Sequence, residues 1–150
     1  MNGAEKTYLI GRYAFGHWAV FGRCTRGYAA WDVEAKRIVF FKDQWRCVTR
    51  PYTELDAYVR LHEHSVRHIA TPVAGGDIDD QRTVSQRFMT HLPVEWKPSE
   101  RVHTRLVTRE VGKVVEAYRD SPDLLHICGH AFIGAPIPHR VRSVWLTSSM

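Results

Sequence analysis

Four glycines, Gly11, Gly16, Gly22 and Gly27, punctuate a first stretch of about forty residues that is otherwise rich in aromatic and β-branched side chains. Short extended segments joined by tight turns follow from that pattern, because glycine releases the backbone where a turn needs it and bulky residues favour the pleat. Strands are predicted near Tyr8–Ala14, Gly27–Asp32 and Arg37–Lys42. The polar link Asp32-Val33-Glu34-Ala35-Lys36 between the last two is short enough for a hairpin, so their pairing is expected to be antiparallel.

The third strand is the apolar run Ile38-Val39-Phe40-Phe41, read as ending on Lys42. Pro51 suits the first turn of a helix, and Leu55, Tyr58, Val59 and His62 then recur at helical spacing, predicting a helix from about Pro51 to His64. Glu54 falls on the edge of that apolar stripe, 12 residues after Lys42, and can point inward. A buried ammonium and carboxylate need each other, since either one alone inside would cost several kcal/mol.

Further on, Ile69–Val73, a bend at Gly75-Gly76-Asp77 and an extended run Arg82–Met89 read as a second hairpin, followed by a long loop His91–Glu100. Arg101 to Arg109 alternates basic and less polar residues, which places Arg101, His103, Arg105 and Arg109 on one wet strand face. Lys113–Arg119 reads as a short helix, and Ser121-Pro122-Asp123 opens another with a capping serine, its packing face formed by Leu124, Ile127, Cys128 and Ala131. From residue 135 onward the helical pattern stops and an irregular tail is expected.

Composition narrows the classes. A length of 150 residues with 44% hydrophobic and 25% charged residues fits one packed domain. Of the 21 cationic side chains 16 are arginine, spread along the chain, which favours planar recognition of phosphate or carboxylate over a nucleic-acid-binding basic run. Cys24, Cys47 and Cys128 lack CxxC spacing and number three, arguing for reduced thiols rather than a disulfide framework or zinc site. No 18-residue apolar run and no signal-peptide-like start is present, so an intracellular protein, cytoplasmic or nuclear, with no membrane span is expected. His126 and His130 stand at i, i+4 without an evident third ligand, so no metal is assigned to them.

The order strand, glycine turn, strand, hairpin, strand with lysine, helix with glutamate is that of the small lobe of a protein kinase. More specifically, Gly22-Arg23-Cys24-Thr25-Arg26-Gly27-Tyr28-Ala29, Val39-Phe40-Phe41-Lys42-Asp43-Gln44-Trp45-Arg46, Glu54 with Tyr58 and Leu61, Ile69-Ala70-Thr71, Gly75-Gly76-Asp77 and Arg101 to Val107 resemble the fungal-type protein kinase family. The likeness covers roughly residues 15–134, after a lead-in of 1–14 and before the divergent tail 135–150. It implies an α+β fold of the kinase N-terminal lobe type: an antiparallel sheet of about five strands, one packed helix, and the first helices leading toward a C-terminal lobe that these residues do not include.

The resemblance implies ATP contact at Gly22, Gly27, Ala29, Phe41, Lys42, Glu54 and Val107, with Lys42 gripping phosphates, Glu54 pairing with it, and Val107–Gly112 as the hinge. Read without the family, Gly22 and Gly27 are hairpin glycines and Lys42 a solvated strand-end residue. Asp123 is the last aspartate, Asn2 is the only asparagine, Asp-Phe-Gly is absent, and His139-Arg140 is followed by Val141. These residues alone are therefore expected not to transfer phosphate, to bind ATP weakly and not to hold Mg. The alternatives are a non-enzymatic module docking on a protein partner through the exposed lobe interface and, with nucleic acid less favoured, a basic α+β nucleic-acid binder.

Overall fold

A computed structural model of the protein describes residues 5–16, 22–113 and 115–133. The tail expected at 135–150 lies outside the described residues, as do residues 17–21 within the glycine-punctuated stretch. In chain order the elements are β1 (Tyr8–Ile10), β2 (Phe15–Gly16), β3 (Arg26–Asp32), β4 (Arg37–Cys47), α1 (Glu54–Glu63), β5 (Pro72–Arg82), α2 (Ser85–Phe88), β6 (Arg101–Thr108) and α3 (Ser121–Ile133). Single 3-10 turns at Val94–Trp96 and Val115–Ala117 interrupt the connections.

The strands form one antiparallel sheet ordered β1-β3-β4-β6-β5, and β2 also pairs with β3. β1 meets Ala30–Asp32 and β2 meets Arg26–Gly27, so the two share one edge of β3 and the sheet is five positions wide. The α+β expectation and the number of strand positions are met. The turn between β3 and β4 is closed by Asp32, whose buried carboxylate accepts the Glu34 and Ala35 N–H groups at 3.1 and 2.9 Å.

One face of the sheet carries the main apolar cluster. Ala30, Val39, Phe41 and Val107 are buried there, with Tyr8, Tyr28, Val73 and Ala74 packed around them. Because successive strand residues alternate faces, Phe40, Lys42, Gln44 and Arg46 turn the other way, together with their cross-strand neighbours Leu106, Thr104 and Val102, all three buried.

Four local expectations are corrected. Lys42 does not end its strand: β4 runs on to Cys47, because Asp43, Gln44 and Arg46, polar enough to read as a loop, each find a tertiary partner. Gly75-Gly76-Asp77 is no bend but lies within β5. A Cβ on Gly75 would stand 3.0 Å from the Arg105 carbonyl oxygen, so glycine there serves the close approach of β6. The run Arg82–Met89 is not extended; it holds the single helical turn α2, supported by Gln86 Nε2 donating to the Thr83 carbonyl at 2.6 Å.

The fourth concerns β6, whose charged face is not uniformly wet: His103 is buried, Arg101 is half-buried and within the strand Arg105 alone is exposed, while Arg109 lies beyond the strand and donates its N–H to the Thr71 carbonyl.

The helices also shift. α1 starts at Glu54, three residues after Pro51, because Thr53 and Asp56 form a reciprocal capping box with Thr53 as N-cap. α3 forms as expected, but its first turn is closed by Asp120, whose Oδ1 accepts the Asp123 N–H at 2.8 Å. Of its proposed packing face, Ile127, Cys128 and Ala131 are exposed and Leu124 is half-buried. Among its described residues, Lys113–Arg119 forms a 3-10 turn at Val115–Ala117 in place of the expected helix.

Candidate functional site

Lys42 stands near the middle of β4, opposite Gly27 of β3 and Leu106 of β6. Its Nζ lies 2.8 Å from both Oε1 and Oε2 of Glu54, the first residue of α1. The Gln44 amide, two residues along β4 and therefore on the same face, donates to Glu54 Oε2 at 2.7 Å. The two side chains of the ion pair are 18% and 28% exposed, so the ammonium is shielded yet reachable. Burial pushes the Tyr58 phenol up, and the adjacent Glu54 carboxylate adds to that shift.

An aromatic wall lies beside the lysine. Phe15 pairs with Gly27 in the β2–β3 register, and its ring covers Gly27 so closely that a Cβ there would overlap Cε1, Cζ and Cδ1. The same ring stacks on Phe40, with centroids 5.8 Å apart and planes inclined by 12°. Phe15, Gly27 and Lys42 thus occupy one row across three strands, on one face of the sheet.

Ala29 is exposed and, as the cross-strand partner of Phe40, shares that face. Gly22 adopts φ +107°, a conformation that strains any side-chain-bearing residue, and Cys24 follows with φ +46°. This segment is tied to β4 by the Trp45 N–H, which donates to the Arg23 carbonyl at 2.8 Å. Phe41 and Val107 are not brought to Lys42. Both lie in the apolar cluster on the opposite face, because each is one residue out of phase with the lysine row.

Sequence reasoning missed Gln44, Phe15 and Phe40. The signal for Gln44 was its i, i+2 spacing from Lys42, which places both on one face once the strand is extended past the lysine. The stretch Val107–Gly112, expected to act as a hinge, is tied at Glu110, whose Oε2 and Oε1 accept the Thr71 N–H and hydroxyl at 2.6 and 2.8 Å. Burial pushes the Glu110 carboxyl up, but these bonds outweigh it and hold the group below the usual range.

A second polar cluster lies on the opposite face. His103 is wedged between Asp43, at 2.6 Å from Nε2, and Gln81, at 2.7 Å from Nδ1, and stacks on Trp45 with centroids 5.0 Å apart. Arg105 Nε also donates to Asp43 at 3.2 Å. Of the basic residues that suggested a nucleic-acid face, His103 and Arg105 are thereby engaged with the Asp43 carboxylate, and Arg101 donates to the Trp45 carbonyl at 3.3 Å.

Among the described residues no group of three or more His, Cys, Asp or Glu side chains is arranged to hold a metal ion, and no helix is long and apolar enough to cross a membrane. An antiparallel sheet with a lysine–glutamate bridge to a helix defines a small α+β domain. The chain matches no family model, no curated protein and no solved structure.

Proposed function

We propose that the chain is a nucleotide-positioning domain of protein-kinase type, related to the fungal-type protein kinases, in which Lys42 meets the phosphates of ATP and Glu54 holds Lys42 in place. The observation that carries this reading is the two-point contact of Lys42 with Glu54, reinforced by Gln44. A helix-borne carboxylate that fixes a strand lysine is what phosphate gripping needs, because a rigid ammonium loses little freedom on binding. Ala29, Phe15 and Phe40 offer an apolar wall for a purine ring on the same face.

The groups that kinases use to orient the acceptor hydroxyl and to hold magnesium are not among these 150 residues, which contain neither His-Arg-Asp nor Asp-Phe-Gly. The residues described bind and orient; transfer would require groups supplied from elsewhere. Titration with a fluorescent ATP analogue tests the reading. Saturable binding that Lys42→Met weakens about tenfold or more supports it, while binding that is absent, or indifferent to that substitution, overturns it.

A non-enzymatic docking role is favoured by a different observation. Phe88, Val94 and Trp96, on the connection between β5 and β6, are 78%, 82% and 73% exposed, and apolar side chains gathered on one connection suit a protein partner. Concentration-dependent self-association or binding to a kinase large lobe that Trp96→Glu abolishes, with ATP binding unchanged, would favour this role.

A further inference from the structure

Where the Gly22-Arg23 segment lies beside β4, next to the first turn of α1, a cavity of about 410 Å³ opens. Arg23, Gln44, Arg46, Arg50, Tyr52 and Glu54 stand in its wall, and Lys42 is not among its lining residues. Gln44 and Arg46 alternate with Lys42 along β4 and so share the face that α1 covers. The volume falls in the range of about 300–1,000 Å³ that suits an organic ligand, and it exceeds what a bare anion needs.

Arginines outnumber carboxylates in this wall. Glu54 is its one carboxylate, and that group already meets Lys42 and Gln44. Arg46 gives Nε and Nη2 to Asp77, while its Nη1 makes only long bonds, at 3.4 Å, to the Cys47 and Arg50 carbonyls. Arg23 and Arg50, both exposed, come from two further segments of the chain. Guanidinium forks brought to one cavity from three segments suit the several oxygens of a phosphate monoester better than a lone carboxylate.

The wall also makes a demand of the opposite kind. Gln44 is only 3% exposed. Its Nε2 must face Glu54, because a carboxylate only accepts, and this leaves Oε1 with no hydrogen-bond partner. An open acceptor calls for a donor, and beside arginines that donor has to be neutral, since an ammonium would be repelled. A hydroxyl group meets both conditions. Tyr52 and Ala57 supply apolar surface for a carbon skeleton.

We propose that this cavity binds a phosphorylated sugar or polyol, its phosphate held by Arg23, Arg46 and Arg50 and one of its hydroxyls donating to Gln44 Oε1. The ligand ties the Gly22-Arg23 segment to the start of α1. It lies apart from the ATP site proposed above, because Lys42 does not reach the cavity.

Calorimetric titration of the full chain tests this. Glucose 6-phosphate, ribose 5-phosphate and glycerol 3-phosphate are compared with inorganic phosphate, glucose and a phosphoserine peptide. At least one of the first three should bind at a single site, about tenfold or more tightly than any of the other probes, with an affinity that added salt erodes. Arg23→Gln and Arg50→Gln, at exposed positions, should each weaken it about tenfold. Saturating ATP should leave it unchanged.

Three phosphorylated polyols that bind no better than inorganic phosphate, a phosphoserine peptide that binds more tightly than they do, displacement by ATP, or an affinity untouched by both substitutions overturns the proposal. The comparison of probes uses the unsubstituted chain, so a variant that fails to fold does not rescue it. The titrations need no nucleotide, so their outcome stands apart from the role proposed for Lys42.

Discussion

Glu54 meets Lys42 through both carboxylate oxygens, each 2.8 Å from Nζ, and so fastens the first turn of α1 to the middle of β4. Glu54→Gln keeps the shape but removes the countercharge from an ammonium that is 18% exposed. A loss of about 1–2 kcal/mol is expected, at the lower end because the pair is partly solvated. Urea unfolding of Glu54→Gln, Lys42→Met and the double variant measures the coupling directly. Additive single effects would mean that the two charges do not stabilise one another.

Gly27 is required by its neighbour rather than by its own backbone, since the Phe15 ring occupies the space of a Cβ. Gly27→Ala must push that ring off Phe40 and should cost about 1–3 kcal/mol. Combining it with Phe15→Ala should recover part of the loss. A Gly27→Ala protein with the unsubstituted midpoint and an unaltered near-ultraviolet spectrum would show that the ring moves freely.

Asp77 binds Arg46 through two hydrogen bonds, at 2.8 and 2.5 Å, and accepts the Thr104 hydroxyl. The Arg46 bonds, opposed by burial and joined by Thr104, hold its carboxyl below the usual range. A depressed carboxylate stabilises the fold fully above its ordinary value near 3.8 and loses that contribution as pH falls through the lower folded value. Asp77→Asn should therefore be less stable at neutral pH and lack part of the acid-induced loss. Denaturation midpoints between pH 2 and 6, roughly the span in which carboxylates titrate, test this. Parallel curves for both proteins would contradict it.

The imidazoles of His68, His126 and His130 meet where the loop after α1 touches α3, with centroids 4.3 Å apart for His68 and His130 and 4.1 Å for His126 and His130. Burial, and then the charges of His126 and His68, pull His130 below its usual value of 6.5. The fold thus favours neutral His130. Its contribution is complete above 6.5 and is lost as pH falls through the folded value. Amide exchange along α3 should accelerate on acidification, and His130→Phe should remove that dependence. Uniform exchange from pH 5 to 8, about the window of histidine titration, would mean that the histidines do not hold the helix.

Thr53 accepts the Asp56 N–H at 3.1 Å while Asp56 accepts the Thr53 N–H at 2.8 Å. Thr53→Ala should destabilise α1 by about 1 kcal/mol, measured by the denaturation midpoint. Because Glu54 is the next residue, looser capping should also weaken any ligand binding at Lys42.

Elements whose cause is local were legible in the sequence. β3, the hairpin at Asp32, the start of β4, α1 and α3 follow from alternation, turn chemistry and helical spacing, and those signals reside within a few residues of one another. The inward reach of Glu54 was legible too, since its place on the helix stripe depends only on the 3.6-residue period.

Only the tertiary structure decided how far β4 and β5 extend, which face Phe41 and Val107 occupy, and why the glycines are there. Asp43, Gln44 and Arg46 fell outside the strand read as ending on Lys42 because their partners His103, Glu54 and Asp77 lie away from them in sequence, at separations of 60, 10 and 31 residues. Gly75 and Gly27 read as turn residues, yet they admit the β6 backbone and the Phe15 ring. The chain's own pattern determined its local geometry. Charge satisfaction and close approach between distant segments are absent from any short window, and they decided the rest.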